Sequence, residues 1–575
     1  MKFFIRYLRP HFKVMSIGLL IKTIGTLIEL ALPFILSHIL DNVVPNEGKV
    51  SSILLWGGAM IVCALIALVC NIKANRMASK VARDSSEQIR HDLFERTMTL
   101  SGRQTDEFTI PSLESRITSD TYNIHNFIGM MQRLGVRSPL LLIGGMIVTL
   151  ILDPFLSLIM FATLPLIAVA VFFVSMKGIP LYTKVQKSVD RMVRVVREDA
   201  QGIRVIKALS KTRHEHKRYD EVNRQLVQDE KTATLTMGAI NPIMNLLMNL
   251  GITFVVLLGA YRVMDNQSEA GRIVAFTQYF TMISMAMMFI TRMFVMFTKS
   301  LASAKRIEQV IDAPKDLVVC SEEEYPPVND DAYIVFDKVN FSYNGKKNNL
   351  SNISFKVKRG ATLGIIGATG SGKTTIISLL MRLYDVGDGS VRIGGRDVRT
   401  IPEDELHTMF GVAFQNDFLY NDTIEENIKF GRDLTHEEVV RAAKTAQADG
   451  FISDFADGYE HVLSSKGTNV SGGQKQRILI SRAIAGRPDI LILDDSSSAL
   501  DYKTDANLRQ AIVRDMRGTT SVIVAQRVSS VMSANTIIVI EDGEIIGYGT
   551  HDELMRNCSV YKEISDSQMG GAFVE

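Results

Sequence analysis

The stretch Gly367-Ala368-Thr369-Gly370-Ser371-Gly372-Lys373-Thr374 decides how the rest of this chain is read. It fits the spacing G-x-x-x-x-G-K-[ST], follows an apolar strand-like run at 362–366 and opens a helix-like run at 375–383. Glycines let a backbone close round an anion with its N–H groups pointing inward, and a helix start adds partial positive charge. At this spacing Lys373 reaches the β- and γ-phosphates of ATP and Thr374 holds Mg²⁺. The loop therefore predicts ATP contacts from Gly367, Ala368, Thr369, Gly370, Ser371, Gly372, Lys373, Thr374 and Thr375.

Further motifs surround it in a fixed order. Strand-like runs lie at 333–339, 353–357, 489–494 and 520–526, with a hairpin of 536–541 and 544–548 about Asp542-Gly543. Helical stretches between them predict an α/β nucleotide-binding domain. Gln415, after Phe414 at a strand end, is placed to reach Mg²⁺. Ser471-Gly472-Gly473-Gln474 opens a helix and exposes backbone N–H groups to a phosphate. The apolar run 490–493 ends in Asp494, a Mg²⁺-supporting carboxylate, and Ser498-Ala499-Leu500-Asp501 follows.

Composition divides the 575 residues in two. About 20 apolar residues span a bilayer core. Six such runs occur before residue 310, at about 14–43, 52–72, 136–152, 154–182, 233–263 and 272–298. The connectors at 45–51 and 153–154 are short, whereas those at 73–133 and 184–231 are long and basic. Excess Lys and Arg marks the cytoplasmic side, which places both termini and the ATP-binding domain there. The long connectors carry apolar and charged residues at helical spacing over 82–100 and 189–211, so the spans are expected to extend well below the bilayer. Short segments near 111–124 and 202–219 are expected to touch the soluble domain. Residues 1–13 read as a basic amphipathic interfacial helix, and the proline-containing run 313–329 as a linker. The domain reading is thus 1–312 transmembrane, 313–329 linker and 330–575 nucleotide-binding.

Polar residues within spans are costly in lipid and point inward. Lys22 and Glu29 share one face of the first span. Asn241, Asn245 and Asn249 stripe the fifth, and Gln278, Met285, Arg292 and Lys299 the sixth. Glu29, Asn245, Met285 and Arg292 are the candidate substrate-cavity residues; helix–helix hydrogen bonding is the alternative for the asparagines. Cys63, Cys70, Cys320 and Cys558 form no C-x-x-C pair and read as reduced. The net charge of +2 implies no bulk polyanion, hence no nucleic-acid partner.

With its motifs in this order, the chain resembles a half-transporter of the ATP-binding cassette (ABC) exporter superfamily over essentially its whole length. The resemblance implies a six-helix membrane bundle fused to an α/β P-loop domain, with ATP and Mg²⁺ bound. Two cassettes would dimerise head to tail, each ATP lying between one P-loop and the other chain's signature, here Ser471–Gln474. Tyr343 matches the adenine-stacking aromatic, and Thr374, Gln415 and Asp494 the Mg²⁺ positions.

Three positions depart from the pattern. Asp495 stands where the family usually has the water-polarising glutamate, Gln526 where it has the switch histidine, and Ser465 where many exporters have a glutamate. An aspartate carboxylate retreats by roughly 1 Å, a displacement that can cost about 100-fold in rate. Catalytic duty thus falls on Asp495, Gln526 and Gln415 in a site that resembles the degenerate half of heterodimeric exporters. The expectation is a homologous partner chain, a bacterial inner membrane, and small amphipathic or hydrophobic cargo. A lipid or peptide cargo, or an ATP-gated channel or regulatory subunit, are the alternatives.

Overall fold

The computed structural model describes residues 2–46, 50–415, 417–496 and 499–569. Contacts divide the chain into Met1–Met98 with Pro111–Ala313, and Thr99–Ile110 with Pro314–Glu575.

The first unit is helical because its apolar runs are long and must satisfy their own backbone groups. Its principal helices are α1 (Lys2–Leu8), α2 (Phe12–His38), α3 (Val50–Met98), and, after a short α4 (Gly102–Phe108) that belongs to the second unit, α5 (Thr121–Leu134), α6 (Arg137–Leu152), α7 (Pro154–Ala208), α8 (Thr212–Gly238), α9 (Ile240–Met264) and α10 (Ala270–Ile311). Among the described residues, six stretches are long and apolar enough to cross a membrane. At 1.5 Å per residue α3 runs for about 75 Å, more than twice a hydrocarbon core. Leu156, Met160, Phe276, Tyr279 and Phe280 are fully buried at the centre, where the Tyr279 hydroxyl donates to the Leu30 carbonyl at 2.6 Å. Asp153 starts α7 sharply after α6: its side chain accepts from the Phe155 and Leu156 N–H groups at 3.0 and 3.2 Å.

Three of the expected segments make defined contacts. The apolar face of α1 is not left free for a lipid interface. Phe3, Phe4, Tyr7 and Leu8 are buried within the bundle, and Tyr7 donates to Asp92 of α3 at 2.8 Å. Helix α4 groups with the second unit, whereas residues 111–124 group with the first. Ser101 caps α4, accepting from the Gln104 N–H at 3.1 Å, and Tyr384 donates to its Asp106 at 2.7 Å. The proline-containing run is held by contacts within the second unit. Cys320 N–H donates to the Arg399 carbonyl at 2.8 Å, Arg382 donates to the Val318 carbonyl at 2.7 Å, and the Arg399 guanidinium lies 3.9 Å from the centre of the Tyr325 ring.

The second unit has two sheets. A four-stranded sheet runs in the order β2 (Leu350–Lys358), β1 (Ala332–Phe341), β4 (Asp388–Ile393), β5 (Arg396–Asp397). The six-stranded sheet runs β10 (Glu544–Gly549), β9 (Thr536–Glu541), β3 (Thr362–Gly367), β8 (Thr520–Ala525), β7 (Ile490–Asp494), β6 (Phe410–Ala413). All its pairings are parallel except the β9–β10 hairpin, where Asp542 and Gly543 both adopt positive φ. Parallel strands buried on both faces need continuous apolar runs, which Ile490-Leu491-Ile492-Leu493 supplies. The ends of β3, β6, β7 and β8 therefore meet at one edge, where ligands bind in open α/β sheets.

Candidate nucleotide site

At that edge β3 ends in the P-loop, and helix α11 (Lys373–Leu380) begins. Gly370 and Gly372 take φ of +83° and +108°, which a side chain rarely adopts. A Cβ at Gly367 would lie 2.2 Å from the Ile540 carbonyl, so the strand approaches too closely for any other residue. The Lys373 ammonium donates to the Gly367 and Ala368 carbonyls at 2.9 and 2.7 Å, curling over the loop. Burial lowers its pKa below the ordinary lysine range, against the opposing pull of Asp494 and Asp495. The Ser371 Oγ is buried without a partner among the described residues, a polar atom left for a ligand.

Around the loop gather the other predicted residues of this site. Thr374 Oγ1 donates to Asp494 Oδ2 at 3.2 Å, so two of the three Mg²⁺ candidates share a hydrogen bond. Burial raises the Asp494 carboxyl, and the neighbouring Asp495 adds to that rise while the Thr374 hydroxyl opposes it. Gln415 Nε2 and Gln526 Nε2 both donate to one oxygen, Oδ2 of Asp495, at 3.1 and 3.2 Å. Burial raises the Asp495 carboxyl too, offset in part by Lys373 and Arg527. Asp495 sits at φ +46°, held by its N–H bond to the Val524 carbonyl at 2.9 Å. These groups line a cleft of about 210 Å³. Its glycine cradle, lysine and hydroxyl–carboxylate pair suit a nucleotide triphosphate and an octahedral oxygen-liganded cation.

Tyr343 is 41% exposed, stands edge-on to Tyr384 with ring centres 5.1 Å apart, and donates to Thr375 Oγ1 at 3.3 Å. Asn349, missed from the sequence, also lines the cleft and accepts from the Tyr343 N–H at 3.1 Å. Nothing in its spacing marks it, because the contact comes from the β1–β2 turn.

Ser471, Gly472, Gly473 and Gln474 lie outside this cleft. Ser471 caps helix α12 (Gly472–Ala485) reciprocally: its hydroxyl accepts from the Gln474 N–H at 3.3 Å, and Gln474 Oε1 accepts from the Ser471 N–H at 2.9 Å. Ser471 and Gly472 are exposed. Ser498 lies outside the described residues.

The candidate cavity residues are spread over α2, α9 and α10. Glu29 forms a two-point ion pair with Arg137 of α6, at 2.7 and 3.2 Å. Asn245 and Met285 are exposed on α9 and α10, and the Asn245 carbonyl accepts from Asn249 at 2.8 Å. The Arg292 side chain lies outside the described residues.

Two family models match the chain: the ABC transporter transmembrane region over residues 15–287 and the ABC transporter domain over 350–498. The uncharacterized ABC transporter ATP-binding protein YfiB of Bacillus subtilis (strain 168) is 33% identical over 568 residues, 98% of each chain. Rv1273c of Mycobacterium tuberculosis (strain ATCC 25618 / H37Rv) is 30% identical over 574 residues, 99% of this chain and 98% of its own. Among solved structures, a bacterial Atm1-family ABC exporter with ATP bound superposes with a TM-score of 0.81 at 22% identity, over 98% of this chain and 99% of that one. Matched along nearly its whole length, the chain belongs to the ABC transporter family, with the transmembrane region and the ATP-binding ATPase domain in one polypeptide.

Proposed function

We propose that this chain is one half of a heterodimeric exporter of amphipathic or hydrophobic small molecules, set in a bacterial inner membrane with its ATPase domain cytoplasmic. The observation that carries the asymmetric part is the arrangement at Asp495. Its short carboxylate is held through one oxygen by two amides, from Gln415 and Gln526, and position 526 carries an amide rather than an imidazole. An amide donates a hydrogen bond but cannot shuttle a proton.

Each residue then has a defined task. The P-loop amides and Lys373 bind and orient the triphosphate. Thr374, Asp494 and Gln415 would hold Mg²⁺, which supplies charge neutralisation at the phosphates when bound. Tyr343 offers its ring to the adenine. Asp495 would accept hydrogen bonds from the attacking water, too far back to align it well. Its own site would bind ATP and turn it over slowly. The exposed, capped signature at Ser471 would complete the partner's site, where a full-length glutamate would act.

ATP-driven accumulation of an amphipathic dye in sealed inverted vesicles tests the export reading, with ion conductance in a planar bilayer measured in parallel. Accumulation without conductance is expected. Conductance without accumulation would replace export by an ATP-gated channel.

A further inference from the structure

In the membrane unit, a cavity of about 400 Å³ opens between α2, α3, α5, α6 and α10. It lies where α6 begins, at Arg137, rather than at the Asp153 end of that helix. Its polar wall is basic: Lys22, Arg133 and Arg137 line it together with Asn75 and Asn126. Only one carboxylate answers these cations among the described residues. Glu29 pairs directly with Arg137 and also attracts Lys22, so one carboxylate faces three cations and a net positive charge remains.

Both remaining cations are positioned. Lys22 is 4% exposed inside an apolar helix, and its ammonium donates to Asn71 and Asn75 Oδ1 at 2.8 and 3.1 Å. An ammonium carries three protons, so two neutral acceptors fix its direction without neutralising it. Arg133 bonds through Nε to the Gly129 carbonyl at 3.0 Å. Its Nη2 occupies the space a Cβ at residue 129 would need, at 2.7 Å, so the glycine makes room for the guanidinium. Charged groups in such a bundle are expensive and mark a ligand path rather than packing. Met130, Leu134 and Met296 add apolar side chains to the same lining. A lining that combines excess positive charge with flexible apolar chains fits a molecule with an anionic head and a hydrocarbon tail.

We infer that this cavity is a subsite for the anionic head group, phosphate or carboxylate, of an amphiphile, with Lys22 and Arg133 as its principal ligands. The inference rests on the export reading and narrows its cargo class.

The full chain, reconstituted in phosphatidylcholine nanodiscs without ATP, would be titrated with dodecyl phosphate, dodecyltrimethylammonium and inorganic phosphate. Dodecyl phosphate should bind better than the cationic amphiphile, and inorganic phosphate should not displace it at equal concentration. Arg133→Gln and Lys22→Gln should each weaken dodecyl phosphate about tenfold or more, the value of one charge-assisted hydrogen bond. Lys207→Gln, exposed on α7, should leave its binding unchanged. Arg133→Glu should turn the preference toward dodecyltrimethylammonium, an outcome that simple loss of packing does not produce. Equal binding of the two amphiphiles, or no change of preference in Arg133→Glu, would overturn the subsite. Displacement by inorganic phosphate would overturn the amphiphile assignment and leave a soluble-anion site. Export is read separately: dodecyl phosphate binding with no ATP-driven accumulation of any amphiphile refutes export, whereas export of other amphiphiles without dodecyl phosphate binding refutes the subsite.

Discussion

Asp495→Glu should speed ATP turnover at this chain's own site by between about tenfold and 100-fold. The added methylene advances the carboxylate by roughly 1 Å, and a misplacement of that size is worth about 100-fold. Two details of the structure set the gain below that limit. Gln415 and Gln526 hold the present carboxylate at 3.1 and 3.2 Å through the same oxygen, so a longer side chain must displace or re-form both bonds. Residue 495 also has φ +46°, a left-handed conformation that aspartate bears better than glutamate, at a cost of about 1 kcal/mol. The soluble unit should accordingly melt about 2–4 °C lower. Phosphate release would be measured in complexes whose partner has lost its own catalytic carboxylate, so that only this site reports. In the fully assembled complex, Asp495→Ala should reduce turnover only a few-fold, because little transition-state stabilisation remains to lose. Unchanged turnover in Asp495→Glu with intact nucleotide binding would refute the reach argument. Near-complete loss in Asp495→Ala would show that the short carboxylate already carries the reaction.

Other consequences follow from the same geometry. Lys373→Ala should weaken photolabelling of this chain by an ATP analogue about tenfold or more, since it removes a charged donor from the phosphates. Gly372→Ala should destabilise the soluble unit by about 2 kcal/mol in denaturant unfolding, because φ is +108° and the new Cβ would meet Leu350 Cδ2 at 2.6 Å. Ser471→Arg should leave ATP-analogue labelling of this chain's P-loop unchanged yet reduce turnover of the assembled complex by about 100-fold, as removal of the partner's base would.

The nucleotide half of the fold was legible because its signals are local. A P-loop declares itself through glycines that must take positive φ, and a buried parallel strand through an unbroken apolar run such as Ile490–Leu493. The six long apolar stretches were legible for the same reason. What escaped depended on partners distant in sequence. Helix α4 is seven polar-rich residues whose place is set by Tyr384, more than 270 positions away. The amphipathic α1 reads the same whether lipid or protein covers its apolar face; contacts such as Phe4 with Phe127 at 5.6 Å decide it. The charges of Arg133 and Arg137 looked like part of a basic connector and span edge. Only the packing of five helices brings them to one cavity with Lys22, whose lining does not include Asn245 or Met285.

The most direct measurement is ATP turnover by this chain purified alone, set against the same amount assembled with a homologous partner that carries glutamate and histidine at the positions of Asp495 and Gln526. The asymmetric account predicts slow turnover alone and a rise of about 100-fold on assembly, as expected when a positioned base is supplied. Equal turnover in the two preparations would contradict it, because the chain's own site would then be fully competent.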